Sequence, residues 1–198
     1  MHGYVTDSRE RYIAPLAVGA VAVGLSWFLS TLAKRYGWEY PWWLDSPMPL
    51  LIYGFVYSSY DRWLWRLPFL SRLPNLTGSW TGLVSSSRDP TAHNQATLRV
   101  RQTWSKLIIE LETQHSRSAS SMACISLDGS PEPTLSYEYW NEPKGLAADT
   151  MQPHRGTAHL RLRASNRLLE GDYYTGRGRG TVGEMRFELC LRRQCRDD

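Results

Sequence analysis

The sequence is poor in the residues that build reactive centres and crosslinks. It has three cysteines, Cys124, Cys190 and Cys195, an odd number with no CxxC pair. Its histidines, at 2, 93, 115, 154 and 159, fall at no metal-ligand spacing. Neither a disulfide framework nor a metal site is therefore expected, which favours a reducing compartment for any soluble part. GxSxG, HExxH, P-loop and Rossmann fingerprints are all missing. Glu138, Glu142, Glu170 and Asp172 sit in strand-like runs, but Glu138 and Glu170 fall on outward positions, so no carboxylate pair is assembled and no catalytic residue is assigned. A strongly basic half is lacking too. Residues 75–198 carry sixteen Lys and Arg against fourteen Asp and Glu, which does not suit a DNA- or RNA-binding surface. Beyond residue 75 helical periodicity is also hard to find.

Apolar and aromatic residues are abundant, and they are unevenly spread. Six of the nine tryptophans precede residue 75, as a membrane interface would require. Ile13 to Leu32 is a run of twenty residues without a charge, long enough for a helix to cross a hydrocarbon core. No A-x-A cleavage site follows before Lys34, so a retained helix is read in preference to a signal peptide. Its Ala14, Ala17, Gly19, Ala20, Ala22, Gly24 and Ser26 permit close helix–helix approach. Trp38, Tyr40, Trp42 and Trp43 form an aromatic belt, and Pro47 to Tyr60 is a second, shorter apolar run. The expectation is a transmembrane module over residues 1–74, with helices at about 13–33 and 44–64. Both termini then lie on one side, and Arg62, Arg66 and Arg72 favour the cytoplasm.

Residues 75–198 break into short runs of alternating apolar and polar residues separated by turns. Eight such runs are predicted: 80–86, 97–104, 106–113, 116–127, 135–141, 157–163, 169–175 and 184–192. Loops this short make the strands antiparallel, and clean alternation gives each one buried and one wet face. A closed barrel of about eight strands is the simplest architecture, and it can hold one small ligand. Polar residues intrude on the apolar faces. Gln102 shares a face with Trp104, Asn141 with Tyr137 and Tyr139, and Thr175 with Tyr173, while Thr181 is in phase with Met185 and Phe187. They either pair with one another or converge on a ligand. Between Thr175 and Thr181 a glycine-punctuated turn carries Arg177 and Arg179. These arginines are either solvated or matched to phosphates, and the tyrosines can stack on bases.

Two N-terminal helices followed by a compact barrel resemble the two-transmembrane, β-strand-rich effectors of CBASS, the bacterial cyclic-oligonucleotide anti-phage signalling systems. The stretches that carry the resemblance are NLTGSWTG (75–82), RQTW (101–104), LSYEYWNEPK (135–144), HRGTAHL (154–160) and LEGDYYTGRGRGTVG (169–183). The resemblance implies a non-enzymatic receptor at the bacterial inner membrane, multi-pass, with its barrel in the cytoplasm. It implies a cyclic dinucleotide as activating ligand, made by a partner nucleotidyltransferase, and no other cofactor. Binding would assemble the chain into a homo-oligomer in the lipid bilayer, disrupt the membrane and kill or arrest the infected cell. The implied ligand positions are Trp104, Tyr137, Tyr139, Asn141, Tyr173, Thr175, Arg177, Arg179 and Thr181. Two other readings compete: a lipocalin-like barrel carrying a lipid or small apolar ligand at the membrane, and an anchor that docks a partner protein on outward Arg99 and Arg161.

Overall fold

A computed structural model describes the whole chain except residues 39–47, 129–131, 146, 148–150, 164–166, 177–178 and 191–198, together with the side chains of 89–92. Two compact units result, one of Met1–Ser8 with Leu73–Asp198 and one of Arg9–Arg72.

The second unit is helical. Its long charge-free run forms α1 (Glu10–Arg35), and α2 (Met48–Arg62) follows, then a 3-10 turn at Leu64–Arg66. Among the described residues α1 is the one helix long and apolar enough to cross a membrane. Its large side chains, Leu16, Val23, Trp27 and Phe28 among them, are exposed around the helix, while Val18 and Ala22 are buried. Tyr53 of α2 lies against Gly19, where the absence of a side chain lets the helices approach. The Glu10 carboxylate accepts hydrogen bonds from Ser71 Oγ at 2.6 Å and Arg72 N at 2.7 Å, which clasps the two ends of this unit. The second helix is shorter than the span expected over 44–64, and residues 44–47 lie outside the described ones.

The first unit is an antiparallel barrel. Its strands are β1 (His2–Gly3), β2 (Val5–Thr6), β3 (Gly78–Ser86), β4 (Asp89–Gln102), β5 (Lys106–Thr113), β6 (Ser116–Ser126), β7 (Thr134–Pro143), β8 (His154–Arg163), β9 (Leu168–Thr175) and β10 (Val182–Leu189). Strands β3 to β10 pair in sequence order, β10 returns to β3, and β5–β6 pairing completes the ring. These are the eight strands read from the alternation. Inward positions of their lower halves are filled by Trp80, Leu98, Trp104, Leu107, Ile125, Leu160, Leu169 and Phe187, each no more than 2% exposed. Trp80 lies beside buried Leu76, whose carbonyl accepts its indole N–H at 3.0 Å.

Residues 1–8, read from sequence as the start of the membrane module, form a strap on the barrel instead. β1 pairs antiparallel with β5 and β2 pairs parallel with β6. The strap is too short to show an alternation pattern, so its strand character was not legible. Among the described residues Cys124 is a free cysteine.

The barrel is tightest where glycine stands in a strand. A Cβ at Gly171 would run into the His159 carbonyl of β8, which is backbone and cannot swing aside, whereas a Cβ at Gly3 meets open space. Gly171→Ala is expected to destabilise the barrel by about 1–3 kcal/mol, as overpacking of a dense interior does. Gly3→Ala should be neutral to about 0.5 kcal/mol, as surface changes are. Thermal melting of the detergent-solubilised chain separates the two, and equal melting temperatures would refute the tight approach.

Candidate functional site

Seven polar side chains are buried among the described residues: Gln102, Ser116, Ser118, Ser120, Asn141, Thr175 and Thr181. Strand direction sorts them. β3, β5, β7 and β9 run toward one end of the barrel, so their C-terminal residues lie there with the first residues of β4, β6, β8 and β10. Asn141, Thr175, Ser116, Ser118 and Thr181 gather at that end, around an interior cavity of about 130 Å³. Its lining also includes Asn94, Thr113, Tyr139, Met151, His154, Tyr173 and Arg179. A larger concavity of about 670 Å³ lies on the outer wall over β8, β9 and β10. Its Arg163 is already bound to Glu170 at 2.9 Å and Glu132 at 3.1 Å. The interior site is the one in which buried polar groups converge, and it is the candidate.

Two glycines make room for its aromatic walls. Tyr139 pairs in register with Gly156, and Tyr173 with Gly183. A Cβ on Gly156 would overlap the Tyr139 hydroxyl, and one on Gly183 would overlap the Tyr173 ring. Each ring thus lies over a bare stretch of the neighbouring strand, an arrangement that fixes its direction. Tyr137 stands one inward position further from the mouth, its ring 6.0 Å from that of Tyr139. Burial holds both phenols neutral, with pKa values raised well above the usual.

The turn after β9 supplies the polar edge. Thr175 N donates to Thr181 O at 2.9 Å, Thr181 N donates to Thr175 Oγ1 at 2.9 Å, and the two hydroxyls are 2.9 Å apart. Gly180 takes φ +57°, the left-handed conformation that the turn needs. Arg179 N donates to Gly176 O at 3.0 Å, which sets the arginine beside the first residue of β8. Its Nη1 comes within 3.4 Å of His154 Nδ1, which is also 3.0 Å from the Gln152 carbonyl. A carbonyl only accepts and a guanidinium only donates, so Nδ1 can hydrogen-bond to one of the two at a time. Burial lowers the His154 pKa, the Gln152 carbonyl opposes this and the Arg179 charge lowers it further. Arginine, a neutral imidazole, hydroxyls, amides and two rings form a set that recognises an anionic, base-containing molecule.

Six sequence-predicted residues, Tyr139, Asn141, Tyr173, Thr175, Arg179 and Thr181, come together here. Tyr137 is buried beneath them. Trp104 is buried at the opposite end, because β4 runs the other way. Gln102 follows Trp104 there, and does not join Asn141 and Thr175 as the sequence reading had it. Arg177 lies outside the described residues. Sequence reading did not place His154 or the serines at 116 and 118 in the site. A bulge between Ser120 and Met122 shifts the inward parity of β6 from 116, 118 and 120 to 123 and 125. The signal was three serines at period two ahead of an apolar run in the other phase.

Residues 71–189 match the family model described as Cap15, cyclic dinucleotide receptor domain. Over 189 residues, 88% of each chain, the sequence is 31% identical to CD-NTase-associated protein 15 of Yersinia aleksiciae. With a closed eight-stranded barrel matched throughout and an apolar helix ahead of it, the chain belongs to the Cap15 family of β-barrel CBASS effectors.

Proposed function

We propose that the chain is a membrane-anchored, non-enzymatic receptor of anti-phage defence whose barrel binds a cyclic dinucleotide made by a partner nucleotidyltransferase. Binding assembles the helices of several copies in the bacterial inner membrane, from a barrel on the cytoplasmic side. The assembled helices disrupt that membrane and kill or arrest the infected cell. The observation that carries this reading is the convergence of five buried polar side chains with Arg179, His154 and two tyrosines at one end of an otherwise apolar interior. Arg179 faces a phosphate, Tyr139 and Tyr173 lie along the bases, and Asn141, Thr175 and Thr181 hydrogen-bond to the ligand. Arg177, two residues before Arg179, joins this set, and Tyr137 forms its floor. The family description and the relative's name support the same ligand class. The apolar end is occupied by Trp80, Trp104 and Phe187, which weighs against a lipid-carrying barrel.

Titration calorimetry of the full chain in detergent with a panel of cyclic dinucleotides tests the reading. One of them is expected to bind and be recovered intact, and no heat with any of them sinks it. Arg179→Ala should weaken that binding by about 1.5–3 kcal/mol, the worth of a charge-assisted hydrogen bond. Trp104→Phe should leave it unchanged, since Trp104 lies at the other end.

The same measurement across pH tests His154. Burial holds its pKa below that of an ordinary histidine, and a bound phosphate favours the imidazolium and raises it. Binding then takes up a proton, so affinity rises as pH falls from about 8 to 6, by at most roughly tenfold per pH unit. His154→Gln should flatten the profile. A flat profile in the unsubstituted chain would remove His154 from the ligand's surroundings.

A further inference from the structure

Barrel closure is weakest at one seam. β5 and β6 pair over three residues only, Glu110 with Ala119, Leu111 with Ser118 and Glu112 with Arg117. Leu111 and Ser118 of this short zipper also line the pocket. Below it the β6 bulge carries the strand away from β5, and the ladder stops. The Ser120 hydroxyl takes up the Ile109 backbone N–H at 2.9 Å, a donor that a longer ladder would have paired.

The N-terminal strap fills the rest of the seam. Its Gly3 and His2 pair with Lys106 and Leu107 of β5, and its Val5 and Thr6 with Cys124 and Ile125 of β6. Three side chains fasten it. His2 Nε2 is 2.8 Å from the Ser120 hydroxyl. The buried Tyr4 phenol accepts from Gln102 Nε2 at 3.4 Å, and the same amide nitrogen donates to Pro74 O at 3.2 Å while Gln102 Oε1 accepts from Leu76 N at 2.8 Å. Asp7 accepts from Leu127 N at 2.8 Å, Asp128 N at 3.0 Å and Ser126 Oγ at 2.6 Å. The two buried polar residues that the pocket does not use, Ser120 and Gln102, are thus the ones that hold the strap. Arg9 and α1 follow the strap directly.

We propose that the β5–β6 seam transmits occupancy of the pocket to α1 through this strap. A cavity of about 130 Å³ is well below the roughly 300–1,000 Å³ of a site for a drug-sized ligand. Seating such a ligand between the Tyr139 and Tyr173 rings widens the pocket end, and the β5–β6 zipper, three residue pairs long, is the part of the wall with the fewest backbone bonds to break. Spreading β5 from β6 separates the two edges that the strap bridges. Once it lets go, α1 is no longer tethered to the barrel wall at its N-terminus and is free to gather with copies of itself. This rests on the reading that ligand in the pocket drives assembly. Two states that differ in strap contact and in ligand affinity couple reciprocally.

A reversible bridge tests the proposal. Val5 pairs with Cys124, and the Cα atoms of neighbouring strands lie about 4.7–4.9 Å apart, within disulfide range. Val5→Cys in the full chain, oxidised, should bind a cyclic dinucleotide about tenfold more weakly than wild type and fail to assemble in detergent, as read by calorimetry and light-scattering mass. Reduction should restore both, and Val5→Cys with Cys124→Ser should behave as wild type under oxidation. Asp7→Ala should assemble without ligand, and the oxidised bridge added to it should return it to the unassembled state. That reversal separates strap release from misfolding. Ligand-driven assembly of the bridged chain equal to wild type, or Asp7→Ala no more assembled than wild type, overturns the proposal. If no cyclic dinucleotide binds wild type, the functional reading fails, and the Asp7→Ala pair still decides the role of the strap.

Discussion

Closure is the constraint on which the rest of this barrel depends. An open antiparallel sheet of eight strands leaves two edges of unpaired N–H and C=O groups, and bending it into a ring removes them only if the last pairing is completed. Here one closing contact, β10 with β3, is a full ladder, while β5 with β6 is three residues long. Side chains and a borrowed strand make up the difference. Ser120 replaces a missing carbonyl, the strap supplies two short ladders, and Asp7 covers the exposed N–H groups at the end of β6. The weak seam is thereby satisfied without being strong, and a part of a wall that can open is found where stability is locally low.

Burial of polar groups follows from the same closure. A ring of eight strands has an interior that side chains can fill, as the apolar end of this one is filled, and polar groups admitted at the other end must find partners. At the pocket end they find each other: Thr175 with Thr181, and Thr113 Oγ1 with Ser116 Oγ at 3.1 Å. These pairs tie together the two ends of the turns after β5 and β9. They also mean that ligand hydrogen bonds replace existing ones, so the hydroxyls give shape selectivity more than raw affinity.

Alternation made the strands legible. A period of two over 80–86, 106–113 or 157–163 has one physical cause, a sheet wet on one side, and the structure places strands at each. The polar intrusions were legible as well, because an inward Asn141 or Thr175 breaks a visible pattern. Alternation does not state direction along the barrel axis. Asn141 and Thr175 end strands that run one way, Gln102 and Trp104 end a strand that runs the other, and only a count of strands from the first hairpin separates them. The β6 serines were hidden by a bulge, which reverses parity without changing composition. The strap was hidden by its length, since two-residue strands carry no period.

Charge is what remains after the neutral groups have paired. Arg179 and His154 lie 3.4 Å apart with no acid among the described residues around the cavity, and burial first, then the Arg179 charge, lower the His154 pKa. An arginine cannot give up its proton, so the electrostatic cost of this pairing falls on the imidazole. An anion between them reverses the sign of that interaction, because each cation then stabilises the ligand and the ligand stabilises both. Neutral hydroxyls offer no such reversal: their bonds are similar with or without ligand. On the proposed coupling, the free energy that spreads β5 from β6 comes chiefly from an anion held at Arg179 and His154 and from the rings of Tyr139 and Tyr173, while the seam determines where that free energy is used.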